Sequence, residues 1–244
     1  AGTQVTITIQ HHDTGKVQDI VLTRAKIQIQ NITWVAIPGT NFADVRIAAF
    51  STNITKDLVN ALQEVQKQGY KGIVLDLRDN PGGLLDESVG ATSQFLSSGV
   101  VLKVKDAQGK VSDINVKQGG VATKIPVVVL INEGTASAAE IMSGALQDAG
   151  RAKLVGMTTF GTGTVLNQFP LSDGSAILLA TEEWLTPKGR VIWHQGIHPD
   201  VTVSLPADAT PLIPNSIRNM SPAEFQSNTD VQLQKAIEVL NSGG

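Results

Sequence analysis

The sequence predicts a mixed α/β fold, and three stretches carry that prediction. Residues 72–83 and 127–140 each read as a short, apolar, β-branched strand that stops at a glycine-containing turn and runs into a helix. Ahead of the first, residues 55–67 place apolar side chains at 58, 59, 62 and 65, one face of an amphipathic helix, and Gln68-Gly69 ends it. Helix, strand and helix in that order make an α/β unit with a right-handed crossover. In open sheets of this kind, ligands and chemistry gather at the carboxyl ends of the strands.

The other elements follow in chain order. Residues 3–9 alternate strictly, as a half-buried strand does, and 17–23 resume as a second strand after a His-Asp-Thr-Gly-Lys turn. A chain that opens on such a hairpin reads as the end of something larger. Strands are expected over 24–30, 32–37 and 44–50, with Pro38-Gly39 as a turn. A helix over 84–97 follows the first strand–turn, and 100–105 with 111–117 form a hairpin around Ala107-Gln108-Gly109. Pro126 opens the strand 127–131, where its missing N–H does least harm. A helix over 137–149 comes next, then a strand from Lys153 to Val155. Residues 167–171 and 175–180 flank an Asp-Gly turn as a further hairpin, and 186–189 form another turn. Beyond Pro206 only 229–240 reads as helical, in a tail expected to pack weakly or not at all.

Composition narrows the function. The chain has 244 residues, 41% hydrophobic and 17% charged, and a net charge of −3, so no basic surface points to nucleic acid or an anionic membrane. Its apolar runs are too short to span a bilayer, and no signal peptide is visible. Either the protein is cytoplasmic or its targeting segment lies outside this sequence. With no cysteine, thiolate catalysis and Cys-ligated metals are excluded, and the four histidines fall into no metal-ligand spacing.

Two turns hold the candidate chemistry. Ser137 begins a helix, and with Glu140 it matches the Ser-x-x-Glu capping box. A serine there, among small residues, is equally suited to be a nucleophile beside the positive end of a helix dipole. Asn80-Pro81-Gly82-Gly83 is a tight turn whose glycines also let a ligand oxygen approach the backbone amides. Together, at two strand ends of one sheet, these turns favour a site. Asp76 and Arg78 face the same side of their strand and suit a buried ion pair supporting the turn better than a catalytic acid.

Asp76-Leu-Arg-Asp-Asn-Pro-Gly-Gly83, Gly134-Thr-Ala-Ser-Ala-Ala-Glu-Ile141, the Leu154-Val-Gly and Thr159-Phe-Gly161 segments, and Gly196-Ile-His-Pro-Asp200 follow one another in a recognisable order and spacing. Over roughly residues 20–205 the chain resembles the C-terminal processing (tail-specific) serine peptidases. The resemblance implies a ClpP/crotonase-like mixed α/β core behind a PDZ domain, and a Ser–Lys dyad. It also implies a polypeptide substrate, no metal or other cofactor, and a bacterial protein working outside the cytoplasm, whether periplasmic, secreted or membrane-anchored. Carried onto this sequence, it makes Ser137 the nucleophile and Gly82 and Ala138 the oxyanion hole, with Glu140 in support. It divides the chain into residues 1–24, the last strands of a PDZ-like domain, 25–206, the peptidase-like core, and 207–244, a partly helical extension.

At two positions the chain departs from this pattern. The family's lysine stands 25 residues after the serine, in Phe-Gly-Lys-Gly, with a glutamine four residues on; this chain has Phe160-Gly161-Thr162-Gly163, and Leu166 in place of the glutamine. A threonine hydroxyl is far too weak a base to take a serine proton at neutral pH. Lys124 and Lys153 belong to the wrong end of the sheet, which leaves His194 and His198 as replacement bases. Two readings stand on these residues: a serine endopeptidase with an atypical base, or a degenerate homologue that binds or scaffolds peptides or other ligands. A crotonase-type acyl enzyme is the weakest, because no site for an acyl-CoA phosphate is apparent.

Overall fold

The computed structural model describes residues 1–26 and 30–243. They fall into two compact units, Ala1–Gln30 and Asn31–Gly244. In the first unit, β1 (Gln4–Gln10) and β2 (Val17–Thr23) form an antiparallel hairpin with Ile7 opposite Ile20. Residues 24–26 and 30 are not in a strand, and the middle of the strand expected over 24–30 lies outside the described residues.

The second unit is built on a six-stranded sheet. Its strands are β3 (Ile32–Ala36), β4 (Phe42–Ile47), β5 (Gly72–Asp76), β8 (Val127–Ile131), β9 (Lys153–Gly156) and β12 (Val201–Thr202). Their spatial order is β12-β9-β8-β5-β4-β3, parallel except for the β3–β4 pair. Both central strands, β5 and β8, are buried along their whole length. That explains their unbroken apolar sequences, since a strand covered on both faces has no solvent side to mark with polar residues. Helices α1 (Ile54–Lys67), α2 (Leu85–Thr92) and α3 (Ala138–Asp148) supply one apolar layer, with Leu58, Leu62, Val89, Met142 and Leu146 packed on Ile73, Leu75 and Val129. Helix α2 is shorter than the 84–97 expected. It ends at Ser93, whose hydroxyl turns back to the Val89 carbonyl at 2.6 Å and accepts the Lys117 N–H at 2.9 Å.

The opposite face corrects the expectation for the C-terminal tail. Short helices α4 (Pro214–Ile217) and α5 (Pro222–Gln226) and the longer α6 (Val231–Asn241) cover it, with Ile217, Phe225, Leu233, Ala236 and Leu240 buried against Val74, Val128, Leu130 and Val155. The tail is the second layer of the core. Its apolar residues are spread over three helices, two of them a single turn opened by proline, so no long periodic stretch announces it.

A second, antiparallel sheet has the order β10-β11-β6-β7, from β6 (Val100–Asp106), β7 (Val111–Asn115), β10 (Thr164–Pro170) and β11 (Ala176–Leu185). Strand β10 begins just beyond the segment that carries Thr162 and forms one edge of this sheet.

Candidate active site

Strands β5 and β8 are parallel neighbours with Asp76 opposite Leu130, so the turns that leave their carboxyl ends lie side by side. Four hydrogen bonds join them. Thr135 Oγ1 donates to the Leu77 carbonyl at 2.8 Å and Ala136 N–H to the Asn80 carbonyl at 2.9 Å. Asp79 N–H donates to Asn132 Oδ1, and Asn132 Nδ2 to Asp79 Oδ1, each at 2.8 Å. Asn80 is fully buried, and both polar atoms of its side chain are hydrogen-bonded: its Nδ2 donates to the Ile47 carbonyl and its Oδ1 accepts the Gly82 N–H, both at 2.8 Å. Gly82 is a glycine by necessity. At φ +96° a Cβ there would lie 2.7 Å from Ser137 Cβ and 2.8 Å from Ala138 N.

Ser137 is the N-cap residue of α3 and is strained, with φ 54° and ψ −118°. Positive φ is costly for a residue with a Cβ and persists where the surroundings over-determine it, as they do at functional turns. The capping box is lopsided. Glu140 Oε2 accepts the Ser137 N–H at 2.8 Å, whereas the Ser137 hydroxyl makes no cap hydrogen bond. Among the described residues this hydroxyl has no hydrogen-bond partner, and neither has the Ala138 N–H, the first helical amide of α3.

Glu140 is fully buried and organises the region. Oε2 accepts from Ser137 N–H and from Thr162 N–H at 2.9 Å; Oε1 accepts from Gly161 N–H at 2.6 Å and from the Thr159 hydroxyl at 2.5 Å. Ser137 and Thr162 therefore share one acceptor oxygen, which sets the segment 159–163 beside the serine. That segment is held from behind as well. Ile197 N–H donates to Thr159 Oγ1 at 2.7 Å, His194 N–H to the Gly161 carbonyl at 2.9 Å and Phe160 N–H to the Thr135 carbonyl at 2.9 Å. Gly163 packs so closely that a Cβ there would lie 2.2 Å from Trp193 N.

The structure places the other candidates as follows. Lys153 lies opposite Val128, at the start of β8 and the far end from Ser137, where it pairs with Asp200 at 3.6 Å. Lys124 precedes β8 at that same end. His198 Nδ1 pairs with Thr158 Oγ1 at 3.0 Å, and the exposed His194 ring lies against Trp193, centroids 4.5 Å apart. Neither histidine is hydrogen-bonded to Ser137.

Asp76 and Arg78 form a buried pair, Nε to Oδ1 and Nη2 to Oδ2 both at 3.1 Å, beside Arg46, whose Nη1 reaches Asp76 Oδ2 at 3.0 Å. Sequence reasoning missed the third partner. Asp230, the N-cap of α6, takes Arg78 Nη1 at 2.9 and 2.8 Å. Burial opposes the arginine's charge, but Asp76 and Asp230 outweigh it and hold its pKa above the ordinary value. Asp44, on the same face of the sheet, is fully buried with both carboxyl oxygens lacking a hydrogen-bond partner. Burial first, then the Asp76 charge, pushes its pKa well above 3.8. Asn80, Asn132, Thr135 and Thr159 were also not singled out. All four lie within or beside the quoted motifs, but nothing local distinguishes them from ordinary turn residues.

Among the described residues no group of three or more His, Asp or Glu is placed to hold a metal ion, and no helix is long and apolar enough to cross a membrane. The arrangement suits addition to a carbonyl: a strained, unpaired hydroxyl beside an unpaired helix-terminal amide.

Comparison with known proteins gives the family. Residues 41–203 match the model of peptidase family S41. A carboxyl-terminal-processing protease of Synechocystis sp. is 36% identical over 99% of this chain and 54% of its own length. Carboxy-terminal processing protease CtpA of Bacillus subtilis is 35% identical over 84% of this chain and 44% of its own length. The chain thus spans about half the length of these curated relatives. Among solved structures, the photosystem II D1 C-terminal processing protease superposes with a TM-score of 0.71 at 30% identity, over 92% of this chain and 62% of that one. A lipoprotein from Streptococcus agalactiae shares the fold, with a TM-score of 0.66 at 20% identity, over 88% of this chain and 71% of that one.

Proposed function

The chain belongs to peptidase family S41, and from that premise we propose that it carries a serine-type endopeptidase site of the carboxyl-terminal processing class, with Ser137 as nucleophile. The observation that carries this reading is the state of Ser137: strained at φ 54°, with its hydroxyl not spent on capping its own helix. Ser137 Oγ adds to a peptide carbonyl carbon and gives up its proton to a base. The carbonyl oxygen becomes an oxyanion that accepts from the Ala138 N–H at the positive end of α3. Gly82 supplies the second donor, its N–H shared between Asn80 Oδ1 and the oxyanion. Collapse of the adduct expels the amine with that proton and leaves an acyl-serine for water to cleave. A polypeptide ligand is further supported by apolar side chains exposed around the turns, Leu84 at 49% and Phe160 at 70%.

Thr162, at the position of the family's lysine, favours a second reading, a cleft that binds peptides without turning them over. His194 and His198 are the replacement bases if turnover occurs. The domain reading is likewise proposed: residues 1–24 as the end of a PDZ-like domain, 25–206 as the core, 207–244 as an extension, in an extracytoplasmic protein. Casein hydrolysis by this chain and by Ser137→Ala tests both readings. Cleavage lost in Ser137→Ala establishes the peptidase; no cleavage by either, with casein bound equally by both, establishes the binding protein.

A further inference from the structure

We propose that Asp230, in the C-terminal segment, is a positioning residue of the Ser137 site, acting through Arg78 on the turn that carries Asn80 and Gly82. This deepens the reading above and rests on Ser137 and its two turns being the site. Arg78 stands two residues before Asn80, and its guanidinium is fully committed. Nε and Nη2 go to Asp76, Nη1 goes to both oxygens of Asp230 at 2.9 and 2.8 Å and to Gln232 Oε1 at 3.3 Å, and Nη2 also reaches the Leu212 carbonyl at 3.0 Å. Asp230 is equally committed: its Oδ2 accepts the Leu212 N–H at 2.8 Å and its Oδ1 the Leu233 N–H at 3.0 Å. Neither side chain has any exposed surface.

A buried planar donor gripped by two carboxylates has one orientation, so the backbone that bears it has little freedom. Arg78 N–H itself donates to Asp76 Oδ1 at 2.9 Å. From there the constraint passes to the Leu77 carbonyl, which accepts Asn80 N–H at 3.3 Å and Thr135 Oγ1 at 2.8 Å. It then passes through Asn80 to Gly82 N–H and to Ala136 N–H, the residue before Ser137. Take away the Asp230 charge, and the guanidinium keeps its burial but loses half its neutralisation. The least costly relief is movement of Arg78, which moves the turn.

Amide hydrogen exchange in the whole chain tests this without requiring turnover, so failure of the peptidase reading stays distinguishable. The probes are Asn80, Gly82 and Ala136 N–H. Asp230→Asn is compared with Leu233→Ala, which loosens the same helix by packing alone. The expected result is that Asp230→Asn speeds exchange at the three probes by roughly tenfold more than Leu233→Ala does. Equal effects at the probes, or none with Asp230→Asn, overturn the proposal. If Asp230→Asn does not fold, Gln232→Ala decides. It takes away the 3.3 Å acceptor of Arg78 Nη1 and the 2.8 Å bond from Gln232 Nε2 to the Val203 carbonyl, and it must speed the same three amides by a smaller factor; unchanged probes count against the proposal.

Discussion

The turn that carries Ser137 and the segment 159–163 that faces it are held by the same carboxylate, yet they differ in chemical content. On the serine side are backbone strain and an unspent hydroxyl, the two features on which the proposed nucleophile rests. On the facing side the backbone is equally well fixed, with Gly161, Thr162 and Thr159 all donating to Glu140, but the side chain at 162 is a neutral hydroxyl. Thr162 is placed by its main-chain N–H, so its position does not depend on which side chain it bears. Site geometry and site charge are therefore written in different residues, and the second can change while the first persists.

The largest effect should come from Glu140, because it serves both sides. Glu140→Ala leaves four buried or half-buried donors without an acceptor, and a loss of at least about 3 kcal/mol in urea unfolding is expected. Glu140→Gln should lose less, because its amide still offers one acceptor oxygen. A loss below about 1 kcal/mol for the alanine variant would break the picture of one carboxylate holding both sides. Next in size is Gly82→Ala, which forces a Cβ to 2.7 Å from Ser137 Cβ and should cost about 1–3 kcal/mol. Gly109→Ala is the control: φ is also positive (+81°), but the space is open, and only backbone strain of about 1 kcal/mol is expected. Equal costs would mean that the serine turn is not tightly packed.

Asp44 sharpens the comparison from outside the cleft. Its folded-state pKa is raised by burial, so above 3.8 the unfolded chain gives up this proton more readily than the folded one. The contribution of Asp44 to stability is full below its ordinary pKa and is lost as pH rises through the folded value. Asp44→Asn should thus gain stability relative to the parent as pH is raised from 4 towards 9, with little change at the acid end. A difference independent of pH would show that Asp44 is already ionised in the fold.

Much of this architecture is legible in the sequence because its signals are local. β8 occupies residues 127–131 as expected, and Ser137 opens α3, because Pro126 and the Gly134–Glu140 turn punctuate an unbroken apolar run. The family resemblance drawn from the motifs is borne out by the match to peptidase family S41 over residues 41–203. What is not legible locally is long-range. The tail gives no extended period because its apolar residues are split over three helices. Asp230 looks like an ordinary helix cap, and nothing in its neighbourhood reveals a partner 152 residues away. The role of Glu140 was half visible: the capping box shows its bond to Ser137 N–H, but the other three donors come from a segment about twenty residues on.

The central proposal is that Ser137 and its scaffold are built and that position 162 lacks the base a lysine would supply there. Thr162→Lys tests it most directly, assayed on casein beside the parent and beside Thr162→Lys combined with Ser137→Ala. A well-placed general base contributes about 10²- to 10⁴-fold. The account predicts that Thr162→Lys raises hydrolysis by at least about 10²-fold and that Ser137→Ala in the same chain removes it. A folded Thr162→Lys protein no more active than the parent would contradict the claim.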